Sequence, residues 1–317
     1  MATTPLSIAL LLAASTASAA ITIDTVLVGD AGNANDSTGF GAVSYDYHIG
    51  THEVTNAQYA SFLNAAAASD PNGLYNSNMG SNARGGISQS VTSGSFTYST
   101  KANMADKPVN YVSFWDAARF TNWLTSGDTE NGVYVLTPTG ISNNTITRDT
   151  TAWNAGGVAI ASENEWYKAA YYDGSGDYYL FPTQSNTAPT AVAPESATES
   201  NNANYNSAVG SVTIVGAYQN SGSYYGTFDQ GGNVWEWNDA IVSTIGRGQR
   251  GGSFVGRINN VLLSSIRFFD LPASEINNLG FRVSSLAPIP EPSSYGAIFG
   301  IVGLATAIFF RRKRRRG

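Results

Sequence analysis

The sequence contains no cysteine and only two histidines among its 317 residues. A chain without cysteine has no disulfide, no thiolate metal site and no cysteine nucleophile. His48 and His52 lie on a predicted strand, where four residues extend roughly 13 Å. Their side chains would point to the same face but would be too far apart to bind one metal ion. No Gly-x-Ser-x-Gly segment occurs in the body of the chain, so a serine hydrolase is not expected either.

Charged residues are also scarce, at 13% of the chain. Six of the 17 basic residues form a run at 311–316, and upstream of Glu291 there are 11 basic and 22 acidic residues. The body therefore carries a net charge of about −11. Nucleic acid is itself polyanionic, so it is not an expected partner, whereas cations could collect on such a body.

Long apolar runs occur only at the two ends of the chain. Residues 6–14 are mostly apolar and precede Ala17-Ser18-Ala19, which resembles the cleavage site of a secretory signal. Residues 1–19 are therefore predicted to be a signal peptide, although the usual basic start is missing. Residues 295–310 would span about 24 Å as a helix, enough to reach across a bilayer with the help of snorkelling arginines.

Pro290-Glu291-Pro292, the apolar run and the terminal basic cluster resemble, in that order, the PEP-CTERM sorting signal of bacterial exported proteins. The resemblance implies that residues 288–317 are recognised and processed by an exosortase. The alternative is a plain C-terminal anchor in which Gly296 and Gly300 pair helices. In either case the basic cluster stays cytoplasmic and the body, residues 20–287, is predicted to be exported and membrane-anchored until any processing.

Three capping boxes predict three short helices in the body. The pairs are Thr55 with Gln58, Ser113 with Asp116, and Ser162 with Glu165. Alternating or apolar segments predict strands, and the polar segment 70–106 is predicted to be a long loop. The predicted strands are 21–28, 42–49, 209–218 and 278–283, with a short connector at 241–247.

The most specific stretch is 226–252, whose centre reads Trp235-Glu236-Trp237. On a strand, the two tryptophans would share one face and Glu236 would point to the other. A buried carboxylate needs a cation or several hydrogen-bond donors. Asp229, Glu236 and the carbonyls around Val234 could converge on a hard cation such as calcium. The alternative is a tight turn and a strand whose tryptophans fill a core.

Six motifs, taken together, resemble the formylglycine-generating enzyme (sulfatase-modifying factor) domain from about Thr22 to Ser285. The resemblance implies an α+β fold, a loop-rich variant of the C-type-lectin-like fold with few short helices and strands, and bound calcium. The motifs are His52–Leu63, Lys107–Ala117, Ser162–Ala170, Gly232–Trp237, Arg250–Phe254 and Leu279–Arg282.

The same resemblance implies a calcium ligand set. By the family's pattern the ion would take the Asp229 side chain, the Gly232 and Val234 carbonyls, and the Glu236 carboxylate. A second calcium site would begin at Asn204-Tyr205, but its later acidic ligand has no clear match in 207–209.

The chain departs from the family at the catalytic step. Formylglycine generators use two cysteines that bind copper, and the corresponding positions fall here on Gly256 and Val261. Glycine and valine can neither ligate Cu(I), which prefers sulfur, nor exchange a disulfide with a substrate cysteine. No catalytic residue is therefore assigned, and copper is not an expected cofactor.

Two further groups of residues suggest binding surfaces. The functional interpretation of the arginines is a ligand groove lined by Arg250, Ser253, Arg257, Arg267 and Arg282, since guanidinium groups recognise carboxylates and hydroxyls. The alternative is that these arginines hold loops together. Six tyrosines could stack on sugars or simply pack a loop-rich core. They are Tyr171, Tyr172, Tyr178, Tyr179, Tyr224 and Tyr225.

Two functional hypotheses follow. The first is an exported, non-catalytic, calcium-stabilised lectin-like module at the cell surface or in extracellular polymer, which binds a polysaccharide or a surface protein. The second is a formylglycine-generating or related oxidoreductase that uses non-cysteine ligands. Copper-dependent oxygen uptake with a cysteine peptide would discriminate between them.

Overall fold

The computed structural model describes residues 21–256 and 259–289 of the chain. The predicted signal peptide, the Pro-Glu-Pro motif, the membrane run 295–310 and Arg257 lie outside the described residues. Within the described part, no helix is long and apolar enough to cross a membrane.

Six α-helices are present in the described residues, and none exceeds 13 residues. The three capping boxes are confirmed, because in each box the hydroxyl accepts from the third helical N–H while that residue's side chain accepts from the cap N–H. The helices are α1 Asn56–Ala66, α2 Asn78–Ser81, α3 Phe114–Ser126, α4 Pro138–Ser142, α5 Thr150–Asn154 and α6 Glu163–Tyr171.

Twelve short strands accompany these helices in the described residues. They are β1 Thr25–Val28, β2 Tyr47–Gly50, β3 Ile87–Thr92, β4 Ser95–Thr100, β5 Ala159–Ile160, β6 Thr190–Ala191, β7 Asn202–Ala203, β8 Trp235–Ser243, β9 Gly246–Arg250, β10 Phe268–Asp270, β11 Leu279–Phe281 and β12 Val283–Ser285.

Two four-stranded sheets organise the molecule. The first has the order β1-β2-β12-β5, with every neighbouring pair antiparallel. The second has the order β10-β9-β8-β11, in which β11 runs parallel to β8 and places Gly280 opposite Glu236. Because β11 and β12 are separated only by Arg282, one residue connects the two sheets.

Three sequence-based predictions of local structure are wrong. The polar loop 70–106 contains the β3–β4 hairpin, whose strands are mostly exposed and therefore show little apolar periodicity. Segment 241–247 is the end of β8 and the turn into β9, not a connector. Segment 209–218 is not a strand; it is a loop that hydrogen-bonds to its surroundings, for example through Val215 N–H to the Asp106 carbonyl.

The largest hydrophobic core lies between α1, α3 and the second sheet. Phe120 of α3 packs edge-on against Phe62 and Phe281, with ring centroids 5.4 and 5.5 Å apart. Trp237 is fully buried and donates through Nε1 to the Val112 carbonyl at 3.1 Å. This packing fixes the direction of β8 and hence the position of Glu236 on its opposite face.

Candidate functional site

The loop before β8 is built from backbone conformations that side chains rarely adopt. Asp229, Gly232 and Asn233 have φ values of 62°, 98° and 53°. The Asn233 side chain stabilises this arrangement, because its Oδ1 accepts from Thr213 N–H at 3.0 Å and its Nδ2 donates to Glu53 Oε1 at 3.0 Å. The turn therefore depends on long-range contacts as well as on its glycines.

Glu236 lies at the centre of a buried ion pair. Its side chain and that of Arg282 are both fully buried, and Arg282 donates from Nε to Oε2 and from Nη2 to Oε1, each at 2.6 Å. Trp166 Nε1 also donates to Oε2, at 2.7 Å. This is a two-point guanidinium–carboxylate pair, the strongest geometry available to these groups.

The implied calcium site can be compared with these contacts. Glu236 does not fit as a calcium ligand while Arg282 occupies its carboxylate, because that charge is already neutralised. Asp229 accepts from Gly216 N–H at 2.6 Å, and burial raises its pKa to about 6. Within residues 21–256 and 259–289, no group of three His, Cys, Asp or Glu residues is arranged to hold a metal. Calcium is therefore implied by the resemblance alone, and Asp229 is the one acidic side chain of the implied ligand set that does not form an ion pair with an arginine.

The residues proposed for a second calcium site have structural contacts. Asn204 is buried beside the loop before β8, where its carbonyl accepts from Asn233 N–H at 2.8 Å and its Nδ2 donates to the Ser211 carbonyl at 2.9 Å. Tyr205 is buried and donates its hydroxyl to the Pro189 carbonyl at 2.6 Å. These contacts connect two loops and do not themselves require an ion.

The arginines predicted to line a groove are largely internal. Arg250 is 1% exposed, pairs with Glu163 at 2.8 Å and donates to the Ser264 and Ile266 carbonyls, each at 2.9 Å. Arg267 is partly exposed and contacts the other oxygen of Glu163 at 2.5 Å. One buried carboxylate therefore holds Arg250 at the end of β9 and Arg267 just before β10. These contacts agree with the alternative that the arginines hold segments of the chain together.

The structure buries three of the five residues predicted to line a groove. Arg250, Arg282 and Ser253 are buried, and the Ser253 hydroxyl accepts from Asn278 Nδ2 at 3.0 Å. Burial removes these side chains from contact with a large ligand, because their donors are used inside the protein. Arg257 lies outside the described residues, and Arg267 alone among the described members is partly exposed.

The two positions assigned to the family's cysteines are close in space. An ideal Cβ on Gly256 would lie 2.9 Å from Val261 Cγ2. Gly252 also packs here, since a Cβ on it would lie 3.0 Å from the same methyl group. The fold thus brings positions 256 and 261 together, but neither residue carries a sulfur atom or any other metal-binding side chain.

The six tyrosines mostly pack against one another. Tyr171 and Tyr172 are buried, and Tyr172 stacks on Tyr225 with centroids 6.2 Å apart and planes 9° apart. Tyr224 is the exposed member, at 48%. This arrangement corresponds to the core-packing alternative and leaves little flat aromatic surface for a sugar ring.

Sequence reasoning missed the partners of these charged groups. Glu163 was recognised only as part of a capping segment, although it neutralises Arg250 and Arg267. Glu165 is likewise a capping residue that also binds Arg148, with Nη2–Oε2 at 2.7 Å. Burial would raise the pKa of Glu165, but the charge and hydrogen bonds of Arg148 lower it to about 2. The sequence does place Glu163 and Glu165 inside one of the family motifs, which suggests that these acids have a specific role. Which arginine each acid contacts depends on the folded topology.

A family model described as "Sulfatase-modifying factor enzyme 1-like domain" matches residues 28–286. The chain belongs to this family. The α+β, loop-rich, C-type-lectin-like fold expected for the sulfatase-modifying factor family is the one observed. No curated protein matches the chain.

Solved structures agree at the level of fold. The structure titled CarF has a TM-score of 0.55 and 21% identity, covering 84% of this chain and 98% of its own. Treponema denticola variable protein 1 has a TM-score of 0.51 and 21% identity, with the same two coverages. This sulfatase-modifying factor domain therefore shares its scaffold with proteins of distant sequence, and at such identity the likeness concerns the fold alone.

Proposed function

We propose that this protein is an exported, non-catalytic member of the sulfatase-modifying factor family that binds a partner protein. The proposal that catalysis is absent rests on Gly256 and Val261, which lie close together at the positions of the family's two cysteines. The scaffold keeps the two positions close together, whereas the sequence contains no cysteine to supply a thiolate at either one. The scaffold can still present a surface that binds a partner protein.

The proposed binding surface lies at one end of the second sheet. Thirteen large apolar side chains are exposed in the described residues, and five of them lie on β8, β10 or the segments directly next to these strands. We call these five residues the apolar edge. They are Ile241, Ile245, Phe268, Phe269 and Leu271.

The geometry of β10 favours an extended polypeptide as the occupant. β10 is the last strand of its sheet and pairs only with β9 among the described residues, through Phe268 opposite Gln249 and Phe269 opposite Gly248. An edge strand offers main-chain donors and acceptors to an added strand. Apolar side chains above and below it offer contacts for alternate residues of that strand, so the partner is a protein segment with alternating apolar positions.

A glycan is the less favoured occupant. The apolar edge has three aliphatic members, whereas sugar sites combine flat aromatic rings with convergent polar groups. The tyrosines considered for sugar stacking are mostly engaged with one another. The observations therefore favour protein over polysaccharide.

Binding can be tested with a displayed library of extended peptides, screened against the protein of residues 20–289. We expect enriched peptides to alternate apolar and polar residues and to lose most of their binding to the Phe268→Asp/Phe269→Asp variant. Val91→Asp is the matched control, because Val91 is 70% exposed on a different hairpin. That control should bind as the wild type does.

Three outcomes would contradict the proposed partner. Peptides that bind the β10 variant and the wild type equally would place the surface elsewhere. Binding on a polysaccharide panel that survives the β10 changes would favour glycan recognition. Dimers of the wild type that dissociate in the Phe268→Asp/Phe269→Asp variant would identify the occupant as a second copy of the chain.

The enzyme hypothesis has its own test. Oxygen uptake is measured with copper and a cysteine-containing peptide, and we expect a rate equal to that of copper and peptide without protein. Oxygen uptake above that background would support the alternative of an oxidoreductase with non-cysteine ligands.

Export and sorting remain proposals that rest on the two ends of the sequence. Ala17-Ser18-Ala19 and the Pro290-Glu291-Pro292 segment support cleavage at each end. Intact-mass analysis of the protein recovered from the cell envelope and medium would test both. We expect loss of residues 1–19 and of the tail after the Pro-Glu-Pro region, whereas retention of the tail would support the plain anchor.

A further inference from the structure

A cavity of about 390 Å³ lies between the segment before β1, the loop after β2 and the start of α1. Its size falls within the range of roughly 300–1,000 Å³ found for small-molecule sites. Ile23, Val54 and Val215 form apolar parts of its wall. This cavity is separate from both the apolar edge and the Gly256–Val261 contact.

The charged residues that line the cavity all have the same sign. They are Asp24, Glu53 and Asp106, and no lysine or arginine lines it. Asp24 and Asp106 are exposed, whereas Glu53 is buried. The wall therefore presents three acidic side chains, one buried and two exposed, to a ligand in the cavity.

Glu53 carries the observation that points to a ligand. It is 2% exposed, and its Oε1 accepts from Asn233 Nδ2 at 3.0 Å. Its Oε2 is buried and has no hydrogen-bond partner among the described residues. A buried carboxylate oxygen without a donor is costly, because its hydration is lost and not replaced.

Neighbouring cations do not supply the missing donor. Arg282 donates to both oxygens of Glu236 and also to the Gly50 and Phe228 carbonyls. His52, which also lines the cavity, has its pKa lowered to about 4 by burial and by Arg282, so it is neutral near pH 7. Burial, together with the charges of Asp229 and Glu236, raises the pKa of Glu53 well above its usual range. The unpartnered oxygen therefore either carries a proton or takes a donor from a ligand, and an ammonium group in the cavity would supply that donor and favour the carboxylate.

The chemistry of that ligand follows from the negative charge and the apolar wall of the cavity. In the described residues no three acidic or histidine side chains are grouped so as to hold one metal ion, so Asp24, Glu53 and Asp106 do not form a metal-binding set. A chain-like cation suits them better, since its charged group can reach Glu53 while an aliphatic stem contacts Val54 and Val215. A second positive charge could lie near Asp24 or Asp106.

We propose that this cavity binds an alkyl ammonium group, with the ammonium donating to Glu53 Oε2 and the aliphatic stem packed against the apolar wall. An ammonium group on an aliphatic stem is found both in a free aliphatic diamine and in a lysine side chain. The two sources are distinguished by the probes used to test the site.

The test is calorimetric titration of the protein spanning residues 20–289 with 1,5-diaminopentane, 1-aminopentane, an end-blocked lysine and 1-pentanol. We expect one diamine per chain, weaker binding of the monoamine and no binding of the alcohol. Preference for the diamine identifies a free amine, and preference for blocked lysine identifies a protein side chain. Tighter or equal binding of 1-pentanol would overturn the proposal, because the site would then be merely apolar.

Variants locate the effect within the cavity. Glu53→Gln should weaken binding at least about tenfold, since a charge-assisted hydrogen bond is lost. Asp106→Asn, at an exposed position that should not disturb folding, should weaken binding about two- to fivefold. Glu195→Gln is the matched control, because Glu195 is exposed and does not line the cavity.

The variant results are decisive in each direction. Unchanged affinity for the diamine in a folded Glu53→Gln protein overturns the proposal. An equal loss of affinity in Glu195→Gln also overturns it, because binding would then depend on the net charge of the protein and not on the cavity. If Glu53→Gln lacks the near-ultraviolet circular dichroism of the native fold, Asp106→Asn decides. Wild-type affinity in that variant would then overturn the proposal.

Discussion

Arg282 and Glu236 form a fully buried two-point ion pair that joins the residue between the two sheets to the centre of the Trp-Glu-Trp strand. Arg282 also donates to the carbonyls of Gly50 and Phe228, so one guanidinium group joins its own segment to three others. The pair gives a structural role to Arg282 and Glu236, which the sequence suggested separately as a groove arginine and a calcium ligand.

Removing Arg282 should be strongly destabilising. Arg282→Met leaves the Glu236 carboxylate buried with only Trp166 as a partner, and losing one member of a buried pair costs about 3–5 kcal/mol. Urea unfolding measures the change in the free energy of unfolding. The control is Arg267→Met, whose loss should be smaller because Arg267 is partly exposed and Glu163 keeps Arg250. Equal losses in the two variants would contradict this account.

The double variant Arg282→Met/Glu236→Gln separates pairing from packing. The amide introduced by Glu236→Gln carries no buried charge and can still accept from Trp166, so the double variant should be more stable than Arg282→Met alone. A double variant that is less stable by the sum of both single losses would show that the two residues act independently.

Calcium should not stabilise the wild-type protein. Glu236 is already neutralised by Arg282, which leaves Asp229 as the one acidic member of the implied ligand set. We expect calcium added to chelator-treated protein to leave the melting temperature unchanged. A calcium-dependent rise that disappears in Asp229→Asn would instead establish the family's site, since binding to the native state alone raises stability.

Stability should depend on pH through Asp116. Burial raises the pKa of Asp116 to about 7, against opposing hydrogen bonds from Ser113, whereas the unfolded value is 3.8. The favourable contribution of its protonated form is full below pH 3.8 and is lost as the pH rises to 7. Asp116→Asn keeps the acceptor for Ser113 and removes this titration.

Urea unfolding of wild type and Asp116→Asn at pH 5 and pH 8 checks the sign. We expect the variant to gain stability relative to wild type as the pH rises. Glu195→Gln serves as the control for a surface charge and should follow the wild type. A constant difference between Asp116→Asn and wild type at the two pH values would contradict the prediction.

Restoring the two cysteines should produce a disulfide. In a disulfide, the Cβ of one cysteine lies roughly 3 Å from the sulfur of the other. A Cβ on Gly256 would lie 2.9 Å from Val261 Cγ2, where a cysteine sulfur could be placed. Gly256→Cys/Val261→Cys should therefore lose two hydrogen masses on mild oxidation. Gly256→Cys/Leu27→Cys is the control and should keep both thiols, because Leu27 is exposed on β1.

Local signals in the sequence were sufficient for the helices. Thr55, Ser113 and Ser162 each cap a helix through a residue three positions later, and such short-range contacts depend on few other parts of the chain. The six ordered motifs predicted the family and fold class. The absence of cysteine predicts, without any coordinates, that the family's copper–cysteine chemistry is absent, and oxygen uptake tests that prediction.

Long-range pairing could not be predicted in the same way. The β3–β4 hairpin is mostly exposed and has no strong apolar alternation, so the sequence indicated a loop. Glu236 and Arg282 are separated by 46 positions, and Glu163 and Arg250 by 87. Which acid meets which arginine depends on the order of strands in the sheets.

The sequence by itself determined the helix starts, the family scaffold and the absence of cysteine, because each depends on residue type and short spacing. Only the tertiary structure decided that Arg250 and Arg282 are internal, that Gly256 and Val261 lie close together, and that Glu53 lines a cavity with one carboxylate oxygen unpartnered in the described residues. The physical reason is that burial and charge pairing belong to segments distant in the chain, and folding alone brings them into contact.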